Sequence, residues 1–134
     1  MSDFEEKENL KMGFEVGMKN EWTITVTDDL CADASNDQFP KLVLPHVLST
    51  PSMISLMELT SADLMAKNLD EGFGSVGMAV DIKHVKATPA GGHVRCESVV
   101  KEIKGKKLLF EVTCYDDEGM IGTGTHRRAI IPTK

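Results

Sequence analysis

A chain of 134 residues has room for one domain and one core. Its 27% charged and 41% hydrophobic residues are ordinary for a globular domain, and a net charge of −6 speaks against a general nucleic-acid binder, which shows a basic surplus or face. No apolar run reaches the ~18 residues of a membrane span, the acidic start Met1-Ser2-Asp3-Phe4-Glu5-Glu6 is unlike a signal peptide, and Cys31, Cys96 and Cys114, odd in number and without CxxC spacing, argue against a disulfide framework or zinc site and for a reducing cytoplasm.

Residues 1–10 read as a flexible tail before a single domain over 11–134. Phe14, Val16 and Met18 alternate with Glu15, Gly17 and Lys19; Trp22, Ile24 and Val26 alternate with threonines. Both runs have strand period. Cys31 to Pro45, with Asn36, Asp37, Pro40 and Pro45, reads as a loop with short structured pieces. The pattern then predicts a helix over 51–69. Thr50 can cap it and Pro51 can take the first helical position. Ile54, Met57, Ala62, Met65 and Leu69 make a stripe, and Asp63 and Lys67 are spaced for a solvated pair. Glu58 shares the stripe and therefore points inward.

After Gly72 the period becomes two. Val76, Met78, Val80, Ile82 and His84 fall on one face, with Gly77, Ala79, Asp81 and Lys83 on the other. Strands follow over Val94–Ile103, Leu108–Cys114 and Ile121–Ile131, joined by turn residues that imply antiparallel neighbours. The apolar face of such a sheet needs a cover, and the long helix is the element available. The expectation is an α+β fold with one long central helix over a five-stranded antiparallel sheet.

Two titratable residues converge on that interior: Glu58 from the helix and His84 from the next strand. Burial brings carboxyl and imidazole pKa values toward neutrality, as acid–base chemistry prefers. Thr50 adds a hydroxyl two turns before Glu58. The plainer readings are a helix cap for Thr50, a tilted or paired acid for Glu58 and a satisfied core or rim residue for His84. His46, His93 and His126 read as surface, loop or rim residues. His126, Arg127 and Arg128 alternate along the last strand, so at least one arginine faces solvent or a partner. Lys83, Lys86, Lys104, Lys106 and Lys107 form either a solvated face or a site for phosphates. Gly122-Thr123-Gly124 lacks the strand-then-helix context of a dinucleotide loop. Met53, Met57 and Met65 read as core packing.

The ordered set Leu48-Ser49-Thr50-Pro51-Ser52-Met53, Leu56-Met57-Glu58, Gly74-Ser75-Val76-Gly77, His84, Ala87-Thr88-Pro89 and Gly122-Thr123-Gly124-Thr125-His126-Arg127-Arg128 resembles the fluoroacetyl-CoA thioesterase-like family of hotdog-fold proteins, from about Thr23 to Ile131. The resemblance implies the hotdog fold, a homodimer paired through edge strands (or a higher oligomer), and hydrolysis of a small acyl-CoA thioester. It implies no metal and no cofactor beyond the coenzyme A of the substrate, and no nucleic-acid or membrane partner. Thr50, Glu58 and His84 match the family's catalytic group, and Gly77 matches a glycine near the thioester. Leu44 stands where the fluoroacetate specialist has a bulky aromatic, which points to a general acyl pocket. Arg128 joins Leu44 and Gly77 as a substrate-binding candidate. The rival from another class is a hotdog protein that binds an acyl-CoA without turnover.

Overall fold

The computed structural model describes residues 13–34 and 38–133, so the expected tail at 1–10 lies outside the described residues. Strand β1 (Lys19–Thr25) leads through a 3-10 turn (Asp28–Leu30) and a long loop to helix α1 (Thr50–Ala66); β2 (Phe73–His84), β3 (His93–Lys104), β4 (Lys107–Asp116) and β5 (Gly119–Pro132) follow. The strands form one antiparallel sheet in the order β1-β3-β4-β5-β2, with α1 packed against it. This is the α+β arrangement that the alternation of periods predicts.

The core lies where the inward rows of β3 and β4 meet the helix. Val94, Cys96, Ser98 and Val100 alternate with more exposed residues on β3, as do Leu108, Phe110, Val112 and Cys114 on β4. Above them Met53, Met57 and Met65 are fully buried, as their helical spacing predicts. Unbranched methionine adapts to the irregular gap between a round helix and a twisted sheet. Ser61 donates to the Met57 carbonyl (2.8 Å) and meets the Ser98 hydroxyl (2.7 Å), so the polar atoms under the helix are satisfied. Beside the helix, Asp63 pairs with Lys67 (2.9 Å) and accepts from Asn20 (2.9 Å).

Four expectations need correction. Phe14 to Met18 is not a strand: a turn at Val16-Gly17, with Gly17 at φ 97°, brings Phe14 and Met18 onto the core from a loop. The helix cap is Ser49, whose Oγ accepts from the Ser52 N–H at 3.1 Å, and the helix ends at Ala66. The helix buries Met53, Leu56, Met57, Thr60, Ser61, Leu64 and Met65, a face rotated away from Ile54 and Ala62, so Glu58 sits on its flank. Finally, β2 and β3 are not neighbours. The segment between them crosses the end of the sheet, held by Leu48 N–H to the Thr88 carbonyl (2.8 Å) and Val26 N–H to the Gly92 carbonyl (2.8 Å). β2 pairs with β5 instead and forms an edge of the sheet.

Candidate active site

The flank of α1 that carries Glu58 faces the β5–β2 half of the sheet, and this half is irregular. Gly77 pairs with Arg128 and Ala79 with Arg127, so Met78 is the extra residue of a β-bulge. A bulge reverses parity. Gly77 therefore shares the helix-side face with Val80, Ile82 and His84, while Val76 turns outward; an unbroken alternation had put Gly77 on the opposite face. The glycine leaves the carboxylate its place, because a Cβ there would lie 2.9 Å from Glu58 Oε1, 3.3 Å from His126 Cε1 and 3.4 Å from Arg128 Nη1. Gly122 has the same kind of reason, since a Cβ on it would meet Met53 Sδ at 2.5 Å. Close approach of the helix at Gly122 and of the β2 backbone at Gly124, where a Cβ would collide with the Asp81 carbonyl oxygen, accounts for the Gly-Thr-Gly run.

The structure brings together two pairs of candidates. At the helix start, Thr50 Oγ1 lies 2.8 Å from His84 Nδ1. Both line a cleft of about 310 Å³ with Ser49, Val47, Val85 and Lys86. With Ser49 as the cap, the Thr50 hydroxyl is released from capping and spent on His84 instead. His84 Nε2 is buried and has no hydrogen-bond partner among the described residues. Leaving a buried polar nitrogen unpaired costs about 1–3 kcal/mol, so this atom marks a place where a partner is worth having. Of the first four helical N–H groups, Pro51 has none, Ser52 uses its own on Ser49 Oγ, and Met53 bonds the Ser49 carbonyl. At most the Thr50 N–H remains to meet a carbonyl oxygen.

Two turns along the helix, the half-buried Glu58 comes to Gly77, His126 and Arg128. His126 is 1% exposed and corrects the expectation of a rim residue. Its Nδ1 is 2.9 Å from the Ala79 carbonyl, and its ring stacks on Phe110 with centroids 6.5 Å apart. Burial holds its pKa below the usual imidazole value; the Ala79 carbonyl and the Glu58 charge oppose that, and Arg128 adds to it. Arg128 is 9% exposed, bonding Ser75 through Nε to Oγ (3.1 Å) and Nη2 to the carbonyl (3.3 Å). Burial also pulls its guanidinium below the usual range, and the Glu58 carboxylate pulls it back. The sequence did carry a signal for His126: it lies two residues from Arg128 on one strand, so one inward face holds both.

Leu44 stands apart from both pairs. It lines a hollow of about 370 Å³ in the loop with Ala32, Asp33, Phe39, Leu42 and Val43, which adjoins the Thr50–His84 cleft at Ala32. Among the lysines offered to phosphates, Lys86 is engaged by Asp116 (2.6 Å) and Glu118 (2.8 Å), and Lys104 by Glu102 (2.9 Å).

The model of the fluoroacetyl-CoA-specific thioesterase family matches residues 26–134. The fluoroacetyl-CoA thioesterase of Streptantibioticus cattleyicolor is 38% identical over 87 residues, which are 65% of this chain and 63% of that protein. A solved structure of a variant of the fluoroacetyl-CoA-specific thioesterase FlK, in complex with fluoroacetate and CoA, is 30% identical, covers 90% of this chain and 97% of its own, and superposes with a TM-score of 0.82. A hot-dog-like protein from Thermanaerovibrio acidaminovorans, 21% identical over 98% of this chain and 90% of its own, shares the fold with a TM-score of 0.80. With the family pattern spanning four of the five strands and the whole helix, the chain belongs to the fluoroacetyl-CoA-specific thioesterase family of hotdog-fold proteins.

Proposed function

We propose that this protein hydrolyses a small acyl-CoA thioester on the α1–β2–β5 face, with Thr50, Glu58 and His84 as the catalytic group. The observation that carries the reading is the Thr50–His84 contact: an imidazole held at Nδ1 by a hydroxyl while its buried Nε2 remains unspent. Glu58 acts as nucleophile or as general base toward water at the thioester carbon. When the carbon–sulfur bond breaks, the electron pair leaves on the coenzyme A sulfur and His84 donates a proton to it. The proton that water gives up, to Glu58 as base or on hydrolysis of the acyl–Glu58 anhydride when Glu58 is the nucleophile, restores the imidazole. Thr50 orients the imidazole, and its N–H is placed for the developing oxyanion. Arg128 and Gly77 border the acyl group, and Leu44 its approach from the loop. Leucine in place of a bulky aromatic fits acyl groups broader than fluoroacetyl. Water is the co-substrate, coenzyme A is part of the substrate, and the reaction so written needs no further cofactor or metal.

The homodimer is part of the same proposal. β2 is a twelve-residue edge strand free of proline, with Val76 42%, Met78 49% and Val80 44% exposed. An edge so long and apolar needs a cover, and a second β2 supplies one of matching length. No helix among the described residues is long and apolar enough to cross a membrane. Three buried free thiols suit a reducing cytoplasm.

The test is a panel of acetyl-, fluoroacetyl-, propionyl- and butyryl-CoA assayed for thiol release by the full chain, with light scattering on the same sample. Hydrolysis of at least one member by a dimer is expected. Calorimetric binding without thiol release would overturn the hydrolase reading.

A further inference from the structure

His126 lies outside the catalytic group just proposed, yet it is buried with a partner at each ring nitrogen. The Ala79 carbonyl can only accept, so the Nδ1 facing it at 2.9 Å carries the hydrogen. The Arg128 guanidinium can only donate, so the Nε2 lying 3.2 Å from Nη1 presents a lone pair. Both conditions hold together only for a neutral imidazole in the Nδ1–H tautomer. Burial and the adjacent guanidinium charge work against protonation and outweigh the Ala79 carbonyl and the Glu58 charge, which favour it.

The arginine is the group in need of such a partner. It is a buried cation that makes no ion pair within contact distance among the described residues, and the Glu58 charge acts on it across Gly77. Three of its five N–H donors are spent, two on Ser75 and one on His126. Ser75 holds the Nε and Nη2 side, while His126 holds Nη1, the nitrogen nearest to the place where Gly77 leaves room for Glu58. Without an acceptor at Nη1 the guanidinium could pivot about Ser75 toward or away from the carboxylate.

We propose that His126 is a positioning residue: as a neutral Nδ1–H imidazole anchored on the Ala79 carbonyl, it fixes Arg128 Nη1 beside Gly77 and Glu58 and so sets the geometry of the reacting end of the site. The consequence for hydrolysis rests on the thioesterase reading above. The tautomer does not.

Two near-isosteric substitutions separate the halves of the imidazole. His126→Asn keeps a donor near Nδ1 and deletes the acceptor for Arg128. His126→Gln reaches the Nε2 position with a carbonyl oxygen and deletes the donor to Ala79. With the panel's best acyl-CoA, His126→Asn is expected to lower kcat on the order of 10–100-fold with KM little changed, the size of effect that a displacement of about 1 Å in a positioning group produces. His126→Gln recovers most of that loss even if its melting temperature falls further. In Arg128→Lys, which has already lost the fork, adding His126→Asn should cost nothing more. Nitrogen-15 NMR of the full-length wild type should show His126 protonated at Nδ1 alone, at neutral pH and without substrate. Equal losses in Asn and Gln that track stability, additivity with Arg128→Lys, or an Nε2–H tautomer would each overturn the proposal. A wild type that shows the Nδ1–H tautomer but cleaves no acyl-CoA would sink the hydrolase reading, and with it the catalytic role, while leaving the anchor in place.

Discussion

The two halves of this sheet meet the same helix and do opposite things with it. On the β3–β4 side the alternation is clean over Val94 to Val100 and Leu108 to Cys114, ahead of a register shift between Val100 and Glu102; the inward residues are apolar or fully satisfied, and Phe110 and Val112 are wholly buried. On the β5–β2 side the inward row reads Gly122, Gly124, His126, Arg128 on one strand and Gly77, Val80, Ile82, His84 on the other, broken by a bulge. Small residues there hold the backbone close, and His84 keeps a buried Nε2 without a partner among the described residues. The regular half supplies the hydrophobic burial that stability requires. The irregular half uses that stability to hold groups that would be costly elsewhere.

Substitutions should separate the halves. The largest effect is expected for Glu58→Gln and His84→Ala, each removing about 10²–10⁴-fold in turnover while the protein stays folded. Phe110→Ala, at the centre of the closed half, should do the reverse. It should cost about 3–5 kcal/mol of stability and leave turnover per folded molecule far less affected than either site variant, by chemical denaturation and thiol-release assay together. If Glu58→Gln cleaves thioesters near the wild-type rate, Glu58 is only a tolerated flank acid and the division proposed here is wrong.

Gly77→Ala is expected to come next. The added methyl falls 2.9 Å from Glu58 Oε1, the movable end of a side chain, so the fold can accommodate it by displacing the carboxylate. A loss of about 10–100-fold in turnover with little change in melting temperature should follow. The opposite pattern, normal turnover in a destabilised protein, would make Gly77 a packing residue and nothing more.

This contrast also sorts what could be read from the sequence. The closed half was legible because period two and period 3.6 are direct images of burial: β3, β4 and the buried methionines follow from spacing alone. In the open half the same rule misled. One extra residue, Met78, reversed the parity of β2 and moved Gly77 to the site face, and nothing local in Val76-Gly77-Met78-Ala79 announces a bulge. His126 was missed because a histidine beside two arginines has the composition of a surface, and its burial depends on which face of β5 the helix covers. Pairing of β2 with β5 rather than β3 is a long-range choice that turn residues do not encode. Thr50, Glu58 and His84 converge on one interior from the residue pattern, and the family resemblance adds their match to a catalytic group. In the structure Thr50 meets His84 directly, while Glu58 sits with the Gly77–His126–Arg128 group.

Thr50 gives a smaller and sharper test. Because Ser49 is the cap, Thr50→Ala should leave the helix start largely intact, whereas a lost cap would cost ~0.5–2 kcal/mol. Thr50→Ser keeps the hydroxyl for His84 and should stay active, while Thr50→Ala should lose turnover without losing much stability. A large fall in melting temperature for Thr50→Ala would return the residue to a structural role.

The smallest expected effect concerns the loop that leads into the site. His46 lies between Asp33, 2.7 Å from Nδ1, and Asp28, 2.9 Å from Nε2, and these hydrogen bonds to carboxylates hold its pKa above the ordinary imidazole value. Two carboxylate acceptors at the two ring nitrogens are matched best by the cation, which donates from both. The aspartates belong to the segment after β1 and the histidine to the segment before α1, so the charged ring ties together the two sides of the loop that carries Leu44. Since the folded pKa is raised, the stabilisation is fully present below the unfolded value of about 6.5 and is lost as pH rises through the folded one. The melting temperature of the wild type should therefore exceed that of His46→Gln by more at about pH 6 than at about pH 9, with the difference shrinking across that window. Both aspartates are partly solvated, so raising the salt concentration should reduce the difference as well. A gap between the two proteins that stays constant with pH would mean that the ring holds the loop by packing alone.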